Sequence, residues 1–154
     1  MIELEQKIPE FKLPATQAGT LSNKDLQGKY VVIYFYPKDN TPGCTTETND
    51  FCELYKDFQG LNCQIIGFNN NPMKLHEKFE KKLEIPFPLV SDEDQGAVEA
   101  FGVWQLKKFM GKEFMGIVRT TFVVNPQGTL IKRYDKVKVK GHAAQVLEDL
   151  KTLV

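Results

Sequence analysis

A continuous apolar run over residues 30–36, with the sequence YVVIYFY, constrains the fold of this chain more than any other feature. β-Branched and aromatic residues without alternation are typical of a strand that is buried on both faces. Residues 37–43 are rich in Pro, Asp, Asn and Gly, which predicts a loop. From Thr45 onward apolar residues recur at helical spacing, and Gly60 supplies a stop signal. The centre of the chain is therefore predicted to be a buried strand, a loop and a helix.

The rest of the chain alternates between strand and helix patterns. Short extended pieces precede the central strand, and an Asn-Pro-Gln-Gly turn at residues 125–128 joins the last two strands. The other predicted strands cover residues 63–68, 87–90, 119–125 and 129–135, and the other predicted helices cover 72–83, 95–101 and 143–153. This order predicts an α/β domain with a mixed central sheet. A length of 154 residues fits one domain, spanning 1–154.

Charge and hydropathy exclude several classes of function. Twenty basic and 20 acidic residues give a formal charge of zero, which does not favour binding to nucleic acid or to a membrane surface. The basic run at residues 132–140 is interpreted as a solvated strand edge and turn. No stretch approaches the roughly 18 apolar residues of a membrane helix, and the first residues do not resemble a signal peptide. We expect a cytoplasmic protein.

Three cysteines, Cys44, Cys52 and Cys63, make an odd count. An odd count in a cytoplasmic chain argues against a disulfide framework and favours a reactive thiol. No two of them form a C-x-x-C pair, and His76 and His142 lie far away in sequence, so no zinc site is expected. The two histidines are predicted to be surface or helix-cap residues without a catalytic role.

Cys44 follows a glycine at the junction between the predicted loop and the predicted helix. The first turn of a helix has unpaired backbone N–H groups and the positive end of the helix dipole. Both favour a thiolate over a thiol. A thiolate attacks the O–O bond of a peroxide and becomes a sulfenic acid.

Two further residues have the chemistry that such a reaction needs. Thr41 can place a hydroxyl near Cys44, and Arg119 can stabilise the thiolate and hold the peroxide oxygens with its fixed fork of donors. Each residue also has a purely structural interpretation. Cys44 can be a small core residue, Thr41 a turn residue, Arg119 an ion-pair partner at a strand end, and Glu47 an acid that favours a helix start.

The segment YFYPKDNTPGCTTE, residues 34–47, resembles the P-x-x-x-T-x-x-C motif of the peroxiredoxins, in the form of the bacterioferritin comigratory, or Q-type, subfamily. The resemblance covers nearly the whole chain. Further matching segments lie at residues 29–32, 76–79, 87–92, 101–104 and 119–124.

The resemblance implies a thioredoxin-like fold, a mixed sheet with helices on both faces, and thiol-dependent reduction of hydrogen peroxide and alkyl hydroperoxides. It implies Cys44 as the peroxidatic cysteine, Thr41 and Arg119 as its activating partners, Pro37 as a shield for the thiolate, and Glu47 as a residue that orients Arg119. No metal, haem or flavin is implied. The implied reductant is thioredoxin, glutaredoxin or a low-molecular thiol. The implied role is protection against oxidative stress, by a monomer or weak homodimer.

The chain departs from this subfamily in its resolving cysteine. One usual position holds Asn49, and the other lies in the predicted 72–83 helix, which has no cysteine. Cys52 lies eight residues beyond Cys44, or about 12 Å along a helix, whereas a disulfide needs Cα atoms within about 7 Å. Cys63 begins a buried strand. Three routes stay open: an external thiol in a one-cysteine mechanism, Cys52, or Cys63.

Other functions remain as alternatives. A thiol–disulfide oxidoreductase on the same fold normally uses a C-x-x-C pair, which is absent. A non-catalytic binding module and a cysteine hydrolase are weaker alternatives, since the Thr41, Cys44 and Arg119 set is complete and no histidine is near Cys44 in sequence. The apolar segment from Trp104 to Met115 is predicted to be partly exposed, and it either packs or contacts substrate or a partner subunit.

Overall fold

The run of apolar residues at 30–36 forms the strand around which the fold is built. The computed structural model describes all 154 residues. The strands are β1 (Lys12–Ala15), β2 (Gly19–Ser22), β3 (Tyr30–Phe35), β4 (Cys63–Asn69), β5 (Leu89–Ser91), β6 (Trp104–Phe109), β7 (Lys112–Ile117), β8 (Thr120–Val124) and β9 (Leu130–Tyr134). The helices are α1 (Pro42–Gly60), α2 (Met73–Leu83), α3 (Gly96–Phe101) and α4 (His142–Leu153), with a 3₁₀ turn at Asn23–Leu26.

Seven strands form one mixed sheet in the order β2-β1-β5-β4-β3-β8-β9. Strand β4 is parallel to both β3 and β5, whereas β8 is antiparallel to β3 and forms a hairpin with β9. Parallel neighbours require crossover connections, and here α1 joins β3 to β4 while α2 lies between β4 and β5. The predicted mixed α/β sheet is confirmed.

Both faces of the sheet are covered, as the unbroken apolar strands predicted. On β3, Val31, Ile33 and Phe35 contribute to one core cluster, together with α3 and the N-terminal strands. The alternate residues Val32 and Tyr34 contribute to the other cluster, with α1, α2 and α4. Side chains of successive strand residues point to opposite faces, so a strand buried on both sides is apolar throughout.

The helix that carries the peroxidatic candidate begins three residues earlier than the sequence predicted. Helix α1 begins at Pro42 instead of Thr45, with Thr41 as its N-cap residue. Proline suits the first helical position because its missing N–H would have no partner there. This earlier start places Cys44 within the first turn. At the other end, Gly60 is the last residue of the helix and Leu61 caps it.

Strands β6 and β7 form a separate two-stranded sheet that the sequence did not predict. Met110 and Gly111 connect them with positive φ angles of 51° and 78°. Positive φ at both turn residues is the geometry of a tight type I′ hairpin, which usually has Asn or Asp before the glycine. Methionine in that position gave no turn signal. Several apolar side chains of this hairpin are exposed, including Phe109 and Phe114.

His76 and His142 were predicted to be surface or helix-cap residues. Neither lies at the surface, because both side chains are buried, whereas His142 does lie at a helix end, as the first residue of α4. The His76 Nδ1 atom lies 2.6 Å from Asp39 Oδ2, and its Nε2 donates to the carbonyl oxygen of Val90 at 3.0 Å. Tyr36 donates to the other carboxyl oxygen of Asp39 at 2.6 Å.

This network fixes the loop before α1 to the rest of the sheet. The backbone N–H of Asp39 donates to Asn71 Oδ1 at 2.8 Å, and Asn69 donates its amide to Asp39 Oδ1 at 3.2 Å. The loop that leads to Cys44 is thereby attached to the end of β4. His142, at the start of α4, contacts Thr121 Oγ1 through Nε2 at 2.8 Å. A single histidine has no periodic pattern, so neither contact could be predicted from the sequence.

None of the helices is long and apolar enough to cross a membrane.

We expect His76→Ala to lower the free energy of unfolding by ~3 kcal/mol, because it leaves buried Asp39 and the Val90 carbonyl without their partner. Urea unfolding followed by circular dichroism measures the change. Lys78→Ala, at an exposed position of the same helix, is the matched control and should change the value by less than about 0.5 kcal/mol. Equal effects of the two substitutions would show that the network does not stabilise the loop.

Candidate active site

Cys44 is the third residue of α1, at the end of the loop that follows the central strand. The helix places the backbone N–H groups of its first turn and the positive end of its dipole next to the sulfur. The side chain is buried, with 1% of the residue exposed. The sulfur therefore lies in an electropositive place that is largely shielded from water.

Arg119 reaches this sulfur from a distant part of the chain. Its Nη2 donates to Cys44 Sγ at 3.3 Å. Strand pairing explains the meeting, because Phe35 at the end of β3 lies opposite Thr120 at the start of β8. The residue before Thr120 is thus adjacent to the loop that leads from β3 into α1. Arg119 lies in the short link between β7 and β8 and not within a strand, which corrects the predicted strand start at residue 119.

Glu47, one helical turn beyond Cys44, holds the other end of the guanidinium. Arg119 Nη1 donates to Glu47 Oε1 at 2.6 Å. Burial raises the pKa of Glu47 from 4.5 to about 7, against the opposing effect of the Arg119 charge. Its second oxygen, Oε2, is buried without a hydrogen-bond partner. The carboxyl group is held in an apolar setting whose one compensating contact is Arg119.

The charge of Arg119 is secure in this position. Burial lowers the pKa of the guanidinium, but the negative charges of Glu47 and Cys44 together reverse the effect, and the net shift is upward. The same charge acts on His142: burial first, and Arg119 second, lower the pKa of that histidine to about 4. His142 is therefore neutral at pH 7 and does not compete with Arg119 for the anionic groups.

Gly43 is a site residue that the sequence did not single out. A Cβ atom at this position would lie 3.3 Å from Arg119 Nη2, a contact that would press on the guanidinium. Glycine thus leaves room for Arg119 to approach the sulfur across the start of the helix. A glycine within a Pro, Asp, Asn and Gly loop was explained by turn formation alone, so nothing in the sequence indicated this contact.

Thr41 is close to the site in the chain, but its hydroxyl points elsewhere. Thr41 Oγ1 donates to the carbonyl oxygen of Lys38 at 2.8 Å and makes no hydrogen bond to Cys44. This bond closes the loop immediately before α1. Thr41 and Pro37 are both half-buried, as is Arg119.

Cys52 and Cys63 lie in different settings from Cys44. Cys52 is half-buried within the same uninterrupted α1 helix, and Cys63 is buried at the start of β4. Burial raises the pKa of each thiol to about 12. All three cysteines are free thiols. Neither second thiol is paired with a cation, in contrast to Cys44 and Arg119.

No group of three or more His, Cys, Asp or Glu side chains is arranged to hold a metal ion. The polar groups around the sulfur are a guanidinium, a carboxyl group and the amides of a helix start. This arrangement is suited to stabilising an anionic sulfur and to donating hydrogen bonds to an adjacent oxygen.

Known proteins resemble this chain over nearly its whole length. Residues 4–133 match the model of the AhpC/TSA family. The chain is 47% identical to the peroxiredoxin Bcp of Bacillus subtilis over 152 residues, which cover 99% of this chain and 97% of that protein. It is 42% identical to the putative peroxiredoxin bcp of Helicobacter pylori strain 26695 over 149 residues, 97% of this chain and 98% of that protein.

Solved structures of related proteins have the same fold as this chain. A cysteine-to-serine mutant of Xylella fastidiosa PrxQ matches 99% of this chain and 97% of its own with a TM-score of 0.93 and 33% identity. The Xanthomonas campestris bacterioferritin comigratory protein, solved as a trapped intermediate and ligand complex to explain its alkyl peroxide reduction, matches 92% of this chain and 90% of its own, with a TM-score of 0.87 and 40% identity. These matches confirm the expected thioredoxin-like fold. The chain belongs to the AhpC/TSA family, and within that family to the bacterioferritin comigratory, or Q-type, peroxiredoxins.

Proposed function

We propose that this peroxiredoxin reduces hydrogen peroxide and alkyl hydroperoxides through attack by the Cys44 thiolate, and so protects its cell against oxidative stress. The observation that carries the proposal is the 3.3 Å contact between Arg119 Nη2 and Cys44 Sγ in the first turn of α1. The relatives named peroxiredoxin, and the alkyl peroxide reduction of the Xanthomonas campestris protein, support this substrate class.

The chemical step uses the groups already in place. The thiolate attacks the terminal oxygen of the hydroperoxide, an S–O bond forms, and the O–O bond breaks. Cys44 becomes a sulfenic acid, and the leaving alkoxide or hydroxide takes a proton to become an alcohol or water. Negative charge moves from sulfur to the leaving oxygen, so fixed donors that follow this movement lower the barrier.

Arg119 is suited to follow that charge. A guanidinium has five N–H donors, and the sulfur and Glu47 together engage one donor on each terminal nitrogen. The remaining donors are available to a peroxide oxygen. Glu47 holds the guanidinium in its plane at 2.6 Å and acts as a positioning residue. No metal, haem or flavin takes part in this mechanism.

Thr41 and Pro37 complete the proposed site. The Thr41 hydroxyl donates to the Lys38 carbonyl, and rotation about its Cα–Cβ bond is proposed to turn it toward a bound peroxide. Pro37, half-buried two residues beyond the end of β3, is proposed to shield one side of the pocket. An apolar shield excludes water and strengthens the remaining hydrogen bonds.

The sulfenic acid is proposed to be resolved by an external thiol. A resolving cysteine attacks as a thiolate, and the pKa of about 12 leaves both Cys52 and Cys63 protonated at neutral pH. Cys52 is also about 12 Å along the same helix from Cys44, so an internal disulfide would require α1 to unwind. Thioredoxin, glutaredoxin or a low-molecular thiol is the proposed reductant.

The proposed setting is the cytoplasm, with the chain as a monomer or weak homodimer. Three free cysteines suit a compartment in which glutathione and thioredoxin keep thiols reduced. The single-domain arrangement over residues 1–154 is proposed to form the whole site, since its residues lie in α1, in the loop before α1 and in the link before β8.

We expect Cys44→Ser to abolish peroxide consumption, because serine cannot form the sulfenic acid. The measurement is rapid mixing of reduced protein with one equivalent of hydrogen peroxide, followed by intact mass. Cys52→Ser and Cys63→Ser are the matched controls and should still gain one oxygen at Cys44. Retained consumption in Cys44→Ser, with loss in either control, would overturn the site assignment.

We expect the stability of the wild-type protein relative to Glu47→Gln to fall as pH rises from about 4.5 to about 7. The native carboxyl group holds its proton more tightly than the unfolded one, so the native state binds more protons in this range and loses that advantage as pH rises. The total change is up to about 3 kcal/mol. Urea unfolding at several pH values measures it, and a difference that stays flat across the range would contradict the buried carboxyl.

A further inference from the structure

Lys107 has an unusual orientation for a lysine of an exposed hairpin. Its neighbours on β6, Leu106 and Lys108, are exposed, whereas Lys107 is half-buried. Its ammonium group donates to the carbonyl oxygen of Ile117 at 2.9 Å. Lys108 instead forms a water-exposed ion pair with Glu113 at 3.5 Å. Two adjacent lysines of one strand therefore have different partners.

A glycine on the opposite strand permits this orientation. Gln105 lies opposite Gly116 in the hairpin register, and Lys107 is on the same face of the sheet two residues further along. A Cβ atom at Gly116 would lie 3.0 Å from Lys107 Cδ. The aliphatic stem of Lys107 thus passes over Gly116, and the ammonium group reaches the end of β7.

The carbonyl that Lys107 holds belongs to the link that carries Arg119. This link runs from Ile117 at the end of β7 to Thr120 at the start of β8. Val118 donates its N–H to the Val103 carbonyl at 2.8 Å, and Thr120 Oγ1 donates to the Val118 carbonyl at 2.7 Å. Lys107 donates to the Ile117 carbonyl at 2.9 Å, and Ile117 precedes Arg119 by two residues in the chain.

Lys107 brings a second positive charge to the link that carries Arg119. Arg119 divides its contacts between Glu47 at 2.6 Å and Cys44 at 3.3 Å, so a Cys44 thiolate shares that guanidinium with a carboxyl group. Lys107 has no carboxylate within ion-pair distance, unlike Lys108. Burial, and then the Arg119 charge, lower the pKa of Lys107, while the Cys44 charge raises it.

We propose that Lys107 supplies the second positive charge of the peroxide site, held in place by the Ile117 carbonyl, and thereby stabilises the Cys44 thiolate that Arg119 contacts. Lys107 is a positioning residue in this sense, because it acts on the reacting sulfur through its field and touches no reacting atom. The proposal rests on the function proposed above and adds a residue to the same site.

The test compares three substitutions with a control. Lys107→Met keeps the apolar stem and removes the charge, Lys107→Arg keeps the charge, and Lys107→Gln keeps a donor for Ile117 without the charge. Lys108→Met removes a neighbouring exposed charge. Stopped-flow measurement of the first-turnover reaction with hydrogen peroxide, from pH 5 to 9, gives the rate constant and its pH profile. The charged groups that act on Cys44 in that profile are Arg119, Glu47 and Lys107.

We expect Lys107→Met and Lys107→Gln to react about tenfold more slowly at pH 7, with profiles moved toward higher pH, because the thiolate loses a nearby positive charge in a poorly solvated site. Lys107→Arg should restore most of the rate. Lys108→Met should match the wild type. A half-buried charge is screened only weakly by salt, so the difference should persist when the salt concentration is raised.

Two outcomes would overturn the proposal. If the rate constants of Lys107→Met equal those of Lys108→Met at every pH, the Lys107 charge has no effect on the Cys44 sulfur. If Lys107→Gln matches the wild type while Lys107→Met is slow, the hydrogen bond to Ile117 matters and the charge does not. Cys44→Ser, run beside them, separates this failure from a failure of the proposed function, because that variant alone reports whether Cys44 is the reacting residue.

Discussion

The site depends on a guanidinium that is kept largely out of water between a carboxyl group and a sulfur. Arg119 contacts Glu47 through one terminal nitrogen and Cys44 through the other. Burying Glu47 with one unpartnered oxygen is unfavourable, by about 1–3 kcal/mol for a lost hydrogen bond. Arg119 is the one hydrogen-bond partner of the Glu47 carboxyl group. Glu47 therefore fixes the plane of the guanidinium and the direction of its remaining donors.

The fold brings these groups together through the register of two strands and the start of one helix. Pairing of Phe35 with Thr120 places the Arg119 link beside the end of β3. Helix α1 starts at the same end, and Cys44 lies in its first turn. The buried His76–Asp39 pair then holds the intervening loop. A shift of register by one residue would reverse the faces of β8 and move Arg119 away from the sulfur.

Much of the fold followed from the sequence because its strongest signals are local. The unbroken apolar runs predicted β3 and β4, and the helical spacing after the loop predicted α1. The structural features that were not predicted depend on contacts between distant residues or on an unusual turn. His76 has no periodic pattern and becomes buried only through Asp39 and Val90. The β6–β7 hairpin was not predicted because its turn has a methionine at positive φ, where Asn, Asp or Gly is usual.

The site residues divide in the same way. Cys44 and Arg119 were singled out from chemistry and from family resemblance, and the structure brings them together. The Thr41 hydroxyl, expected to face the sulfur, bonds to the Lys38 carbonyl instead, which no sequence pattern specifies. Gly43 could not be distinguished from an ordinary turn glycine, because its role in the site is to leave space for the Arg119 guanidinium.

The most direct test of the account is the first-turnover rate constant of Arg119→Met with hydrogen peroxide, measured by stopped flow at pH 7. Methionine keeps an unbranched apolar side chain and removes every donor. Loss of a preorganised donor to a developing charge lowers rates by about 10²- to 10³-fold, and we predict a loss of at least that size. A rate constant within a factor of about three of the wild type would contradict the claim that this guanidinium activates Cys44 and its peroxide.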